Sequence, residues 1–365
     1  MKINDLSLYN FRNYEEAHLN FDENINIFIG KNGSGKTNLL ESIFVLAVTK
    51  SHRAYIEKTL INNNKVMMKI VGEISTKNSN KKLEMVLNSK GKRVSINNIG
   101  IKKISNYISN FDVILFCPDD LELIKGSPNQ RRRFLNIEIG QLDNKYFKYL
   151  NEYNILIKNR NEYLKTITFN KYDNKYLEIL NKQIIDKALI IYKYRFSFIK
   201  NINDKINLIY NRISKGNINI EYKNSCDITE YDKEKLSGIL FKKLNNNLRK
   251  EIAQGNTLYG PHKDDFEVYI DENNARDYGS QGQQRLLVLC IKISEISIFK
   301  EETGEYPVLL LDDVFSELDI TKRNKVVSFL NKKMQVFITS TDIKNISKKI
   351  LKDAKIFSIK DGNIK

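Results

Sequence analysis

Apolar and polar positions along this chain fall into three regimes. In the first, apolar stretches are short and broken by polar turns. Ile25-Asn26-Ile27-Phe28-Ile29 reads as a buried strand, and Asn38 to Phe44 resumes with helical spacing. Val66 to Ile74, Leu83 to Leu87 and Lys92 to Ile96 predict short strands of an antiparallel meander. After Gly126-Ser127-Pro128 the period changes. Leu135, Leu142, Tyr149, Leu156 and Tyr163 recur every seven residues, with Ile139, Tyr146 and Tyr153 in the complementary seam. Leu177, Ile184, Ile191 and Phe198 repeat that spacing beyond the polar segment Asn170 to Asn174, which predicts an antiparallel helical arm. A further helix is expected over Lys233 to Ala253, with Leu236, Leu240, Leu244, Leu248 and Ile252 on one face. Past Tyr259-Gly260-Pro261 strands and helices alternate again, and Val308 to Leu311 and Val336 to Thr339 read as buried parallel strands. The prediction is an α/β protein whose mixed strand-and-helix part is split (1–125 and 257–365) around an inserted α-helical domain (126–256).

Between the first strand and its helix lies Gly30-Lys31-Asn32-Gly33-Ser34-Gly35-Lys36-Thr37. Strand, glycine loop and helix in that order make a G-x-x-x-x-G-K-[ST] match a nucleoside-triphosphate site. The glycines let backbone N–H groups converge on phosphate oxygens, and the helix aims its positive end at the same charge. Lys36 is assigned to the β- and γ-phosphates and Thr37 to Mg2+, and Asn38 is included among the nucleotide-binding residues. Asp312 and Asp313 end a run of four apolar residues. A carboxylate at the end of a buried strand beside a P-loop strand suits the Mg2+ shell, which is the expectation for Asp312. Asp313 is then the general base for the attacking water. Ser280-Gln281-Gly282-Gln283-Gln284-Arg285 opens an apolar helix, either as a simple N-cap or as a second anion site.

Charge adds a partner class. Lys and Arg total 60 against 44 Asp and Glu, a formal +16 over 365 residues. That excess predicts attraction to polyanions, nucleic acid first, although richness in Lys, Asn and Ile also follows from AT-rich codons. Arg131-Arg132-Arg133 is a candidate phosphate contact, the alternative being an intramolecular pair with Asp119, Asp120 or Glu122. Cys117, Cys226 and Cys290 show neither disulfide nor metal spacing, and His262 is expected to hydrogen-bond structurally. No signal-type segment opens the chain and no run is long enough to span a membrane, so a reducing cytoplasm is expected.

The order of P-loop, distant Ser280-Gln281-Gly282-Gln283, then Asp312-Asp313 followed by Ser316-Glu317-Leu318-Asp319 resembles the ABC ATPases, in the branch shared with SMC proteins. Leu8 to Tyr14, Ser51-His52-Arg53, Phe116 to Leu121, Lys125 to Leu135 and Tyr259 to Asp265 narrow the resemblance to the RecF family of bacterial recombination mediators. That resemblance covers almost the whole chain. It implies an ATP-dependent homodimer in which Ser280, Gln281, Gly282 and Asp319 contact the nucleotide held by the other copy. It also implies nucleotide contacts by Arg12, Asn13 and Arg53, slow hydrolysis, and binding of duplex DNA and single-strand/duplex junctions, with no membrane. RecR, RecO and RecA are the implied protein partners. Two departures from the wider ABC pattern stand out: Asp313 where Glu is common, and Thr339-Ser340-Thr341-Asp342 where a histidine would follow the last core strand. Both suit a slow switch better than a motor. A transporter subunit, a long SMC-like tether and a metabolic P-loop kinase each leave one of these features unexplained.

Overall fold

A computed structural model describes residues 1–365 except 55, 169–172, 315–328, 330–332, 344–345, 361 and 365. The chain divides into two compact units, Met1–Asp120 with Leu289–Lys365, and Leu121–Val288.

The first unit holds two six-stranded sheets. One runs in the order β2-β1-β4-β5-β6-β7, from β1 (Lys2–Phe11), β2 (Tyr14–Asn20), β4 (Met67–Ser75), β5 (Asn80–Asn88), β6 (Gly91–Ile96) and β7 (Ile99–Ile101), all antiparallel. The expected meander is therefore present. The other runs β15-β14-β3-β13-β12-β8, from β3 (Ile25–Ile29), β8 (Val113–Phe116), β12 (Val308–Leu311), β13 (Val336–Ser340), β14 (Ala354–Lys360) and β15 (Asn363–Ile364). Its strands β8, β12, β13, β3 and β14 are parallel, with Leu311 opposite both Phe116 and Ile338, and Ile27 opposite Ile338. Being covered on both faces, β8, β12 and β13 are buried throughout, which is why they read as unbroken apolar runs.

Helix α1 (Lys36–Val48) touches strands of both sheets and is buried from Leu39 to Val48. A helix apolar on every side has to lie in such a position. Close approach to β4 depends on Gly72, where a Cβ would come within 2.6 Å of Leu46 Cδ2. Because β3, β12 and β13 run in register, their C-terminal ends bring Gly30, Asp312 and Thr339 to one edge, the usual ligand edge of an open parallel sheet.

The second unit is mainly helical: α2 (Glu122–Lys125), α3 (Pro128–Leu142), α4 (Asn144–Thr166), α5 (Asn174–Tyr210), α6 (Lys233–Asn246) and α7 (Leu248–Gln254). α4 and α5 pack antiparallel, with Arg160 bonded to Asn181 and Arg195 to Tyr146. The first heptad series is interrupted at Asp143, whose carboxylate caps α4, so Leu135 and Ile139 belong to α3. Tyr146, Leu150, Tyr153, Ile157 and Leu164 form the buried stripe, while Tyr149 and Leu156 are half-buried. The expected helix over Lys233 to Ala253 is likewise two helices, broken at Asn247 (φ −103°, ψ 10°).

A three-stranded sheet, β11-β10-β9, comes from β9 (Ile218–Lys223), β10 (Asp265–Ile270) and β11 (Asn273–Asn274). Since β10 pairs with β9 over six residues, the unit extends past the boundary at residue 256 read from helix pattern. The outer edge of β9 is closed by two side chains. Asn207 and Asn203, one turn apart on α5, each exchange two bonds of 2.7–2.9 Å with the backbone of Ile218 and Ile220. Helix α8 (Gln281–Thr303) runs on across the division between units.

Candidate nucleotide-binding site

The loop after β3 has the shape its sequence implies. Gly33 and Gly35 take φ +79° and +114°, conformations that disfavour side chains. A Cβ on Gly35 would lie 2.5 Å from Tyr14 Oη, whose hydroxyl donates to the Gly35 carbonyl at 3.0 Å. A Cβ on Gly30 would meet the Ile359 carbonyl oxygen at 2.3 Å. Lys31, Asn32 and Gly33 are exposed, and Ser34, Gly35 and Lys36 are buried. Gly35 is the N-cap of α1 and supplies no side-chain cap, so the first-turn N–H groups are left for a ligand. Lys36 folds back over the loop, its ammonium donating to the Gly30 and Lys31 carbonyls at 2.7 and 2.9 Å. Burial lowers its pKa, opposed by the charges of Asp313 and Asp312.

Both aspartates predicted for the site stand beside that loop. Thr37 Oγ1 donates to Asp312 Oδ1 at 2.9 Å across 275 positions of sequence. Thr339 Oγ1 donates to the same oxygen at 2.7 Å and accepts the Asp313 N–H at 2.8 Å. Burial raises the Asp312 pKa, against the hydroxyls of Thr339 and Thr37 and the charge of Arg53. Asp313 has φ +51°, a left-handed conformation that Asp tolerates better than bulkier residues. Asp312 Oδ1 and Thr37 Oγ1 are hard oxygen donors, and this pair fits Mg2+. Among the described residues no cluster of three His, Cys, Asp or Glu suits a metal, and the rest of a Mg2+ shell would come from water or phosphate oxygens.

Arg12, Asn13, Asn38 and Arg53 also gather here. Asn38 Nδ2 donates to Asn13 Oδ1 at 2.6 Å, and Arg53 Nη2 reaches Asn38 Oδ1. The residue that joins them, Glu41, was not singled out from sequence. Arg12 Nε and Nη2 donate to its two carboxylate oxygens at 2.9 and 2.8 Å, and Arg53 Nη2 adds a third bond at 2.8 Å. The available signal was a carboxylate on the buried face of an otherwise apolar helix.

The remaining candidates belong to other parts of the sequence. In the second unit, Ser280 Oγ accepts the Gln283 N–H at 3.3 Å while Gln283 Oε1 accepts the Ser280 N–H at 2.9 Å, a capping box at the start of α8. Ser280, Gln281 and Gly282 are exposed. Asp319 falls outside the described residues. Arg131 is buried; its guanidinium grips Asp265 at 2.6 and 2.7 Å and donates to the Gly126 carbonyl at 2.9 Å. Arg132 bonds the Asp264 carbonyl and Asn129, and Arg133 is half-buried. Arg131 is thus taken up by an intramolecular pair, with Asp265 rather than Asp119, Asp120 or Glu122. The Gly260-to-Asp265 string does similar work. Asp264 accepts from Tyr222 Oη and Ser225 Oγ at 2.6 and 2.7 Å, and the Pro261 carbonyl accepts from Arg195 at 2.6 Å.

Fold and site together define an ATPase head of the ABC/SMC type. The family model for the RecF/RecN/SMC N terminal domain matches residues 2–365, and the chain belongs to that family. It is similar over its whole length to proteins named DNA replication and repair protein RecF. That of Staphylococcus carnosus is 42% identical over 368 residues, covering 100% of both chains, and that of Enterococcus faecalis is 41% identical, covering 100% of this chain and 98% of its own. A solved structure of the recombination mediator protein RecF with ATP, in the RecFOR pathway, superposes with a TM-score of 0.91 at 32% identity, covering 100% of this chain and 96% of that one. The Smc head domain of Pyrococcus furiosus shares the fold, with a TM-score of 0.56 at 16% identity.

Proposed function

We propose that this protein is an ATP-switched DNA-binding protein of recombinational repair. Its ATP-bound homodimer closes on duplex or gapped DNA and, with RecR and RecO, helps load RecA onto single strands. The observation that carries the reading is the Thr37–Asp312 contact, which joins the P-loop to the acidic strand end in one phosphate- and metal-binding edge. The formal charge of +16 and the whole-length similarity to RecF proteins supply the DNA side. A cytoplasmic, nucleoid-associated location follows from that role.

In this reading Lys36 exchanges its two carbonyl partners for β- and γ-phosphate oxygens, and the first-turn N–H groups of α1 bind the remaining phosphate charge. Mg2+ held by Thr37 and Asp312 would neutralise charge on the transferred phosphoryl group. Asp313 accepts the proton of the attacking water. With Asp in place of Glu and no histidine at Thr339 to Asp342, hydrolysis is slow and serves to release the clamp.

The test is a titration onto labelled duplex DNA at fixed salt, with ATP, with ADP and without nucleotide. Tight binding only with ATP is expected. Equal affinity in all three states would reduce the protein to a basic surface and remove the coupling of ATP to DNA.

A further inference from the structure

The two asparagines that close the β9 edge stop one position short. Asn207 bonds Ile218 and Asn203 bonds Ile220, so α5 runs antiparallel to β9 along this edge. Four residues of helix, about 6 Å, match two residues of strand, about 7 Å. The next pair on that spacing is Ile199 and Tyr222, and Ile199 has no polar side-chain atom to offer. Every second residue of a strand turns its N–H and carbonyl the same way, so Tyr222 presents both to this edge, as Ile218 and Ile220 do. Its carbonyl receives only Asn224 Nδ2, at 3.4 Å, and its N–H has no acceptor among the described residues.

At Tyr222 the edge opens on a groove of about 920 Å³ between α5, β9 and the loop that follows β9. Phe196 and Tyr222, their rings edge-on at 5.0 Å, supply apolar lining, and the Tyr231 ring lies 6.4 Å from Phe196. The charges around the groove are unevenly matched. Glu221 pairs with Lys223 at 2.6 Å, and Asp227 pairs with Lys243 at 3.1 Å. Lys193 and Lys200 are seven positions apart and so share one face of α5, with Ser197 between them. Both lysines are exposed, and neither has an ion pair among the described residues. Glu230 is the single lining acid left without such a pair, against these two ammonium groups.

We propose that this groove is a docking site for an extended acidic peptide segment of a partner protein. The segment pairs its backbone with Tyr222, lays an apolar side chain against Phe196 and Tyr231, and brings carboxylates to Lys193 and Lys200. A nucleotide could use the lysines and the rings, but it would leave the Tyr222 N–H and carbonyl without strand-like partners. Because Asn203 and Asn207 occupy the rest of the edge, the segment adds one short strand and cannot run the length of β9.

The probe is the fluorescein-labelled peptide Glu-Glu-Leu-Phe-Glu-Glu, titrated with the full chain and read by anisotropy, with the same peptide carrying Lys for Glu as control. Saturable binding of the Glu peptide, at least about tenfold tighter than the Lys peptide, is expected. Lys193→Glu together with Lys200→Glu should weaken it by about tenfold or more and leave Tm unchanged, since neither lysine has an ion pair to lose. Ile199→Asn places an amide where it can close the edge at Tyr222, as Asn203 does at Ile220, and should abolish binding without altering a charge. The proposal is overturned by an absence of saturable binding, by binding indifferent to the two lysines, or by wild-type affinity in a folded Ile199→Asn protein. Ile199 is buried, and if that variant does not fold, the same peptide methylated on its backbone nitrogens carries the question. Undiminished binding of the methylated peptide would rule out pairing with Tyr222. A single-stranded oligonucleotide that displaces the peptide and depends on both lysines would make the groove a nucleic-acid contact and overturn the proposal as well.

Discussion

Thr339 Oγ1 donates to Asp312 Oδ1 at 2.7 Å and accepts the Asp313 N–H at 2.8 Å, so one hydroxyl on β13 holds the carboxylate of Asp312 and the backbone of Asp313 just past the end of β12. Thr339→Val keeps the shape and removes both bonds. It leaves the half-buried Asp313 N–H unpaired and the Asp312 oxygen with Thr37 alone, which costs about 1 kcal/mol of stability. The expected kinetic outcome is ATP affinity within about twofold of wild type and single-turnover hydrolysis slowed by about tenfold, since a misplaced carboxylate acts on the transition state more than on binding. Thr339→Ser should recover most of the rate. Hydrolysis at the wild-type rate in Thr339→Val would mean that Asp312 and Asp313 do not depend on this hydroxyl.

Asp313→Asn separates chemistry from fold. At φ +51° most side chains are strained, whereas Asn adopts this conformation as readily as Asp. The variant should therefore keep its Tm and its ATP affinity while hydrolysis falls by about 100-fold or more, within the range of a lost general base. Asp313→Ala would confound that result with backbone strain. Retained turnover in Asp313→Asn would move the base to another group.

Elements whose chemistry is contiguous in sequence were legible. The P-loop combines strand, glycines and helix within about a dozen positions, and Asp312-Asp313 is marked by the apolar run before it. The residues that complete the site reach it only through tertiary pairing. Thr339 arrives because β13 lies between β3 and β12, and Glu41 matters because Arg12 and Arg53 converge on it from separate loops. Helical periodicity marked the arm but hid its breaks, since α3 and α4 both need an apolar face and the seven-residue spacing carries across Asp143. The pairing of β9 with β10 spans the α6 and α7 segment, and no local pattern announces it.

Ser280 tests the proposed dimer. Ser280→Arg places a long cation where the partner's nucleotide is proposed to dock, but it also removes the cap of α8, worth about 1 kcal/mol. Ser280→Asp retains the cap and repels phosphate instead. Both variants should bind ATP as monomers with unchanged affinity and fail to dimerise in sedimentation with ATP, while only Ser280→Arg loses Tm. Normal ATP-dependent dimers in Ser280→Asp would sink the sandwich arrangement.

His262 makes the fold of the second unit sensitive to acid. Its Nδ1 lies 2.6 Å from Tyr153 Oη and its Nε2 lies 3.0 Å from the Thr257 carbonyl oxygen. Only Nε2 can donate to that carbonyl, so the neutral ring carries its proton there and Nδ1 accepts from the tyrosine. Burial lowers the pKa to about 4; the Thr257 carbonyl opposes this, and the charges of Lys263, Arg132 and Arg195 add to it. The unfolded chain binds this proton near pH 6.5, so from there down to about pH 4 the unfolded state holds a proton that the folded state refuses. The contribution is complete above pH 6.5 and declines as the pH falls, by about 2 kcal/mol between pH 7 and pH 5. Urea unfolding of wild type and His262→Gln at both pH values isolates it, because other titrating groups are common to the two proteins. The variant should be the less stable at pH 7, and the gap should narrow by about that amount at pH 5. Equal pH slopes would show that the His262 ring is protonated in the folded protein as readily as in the unfolded chain.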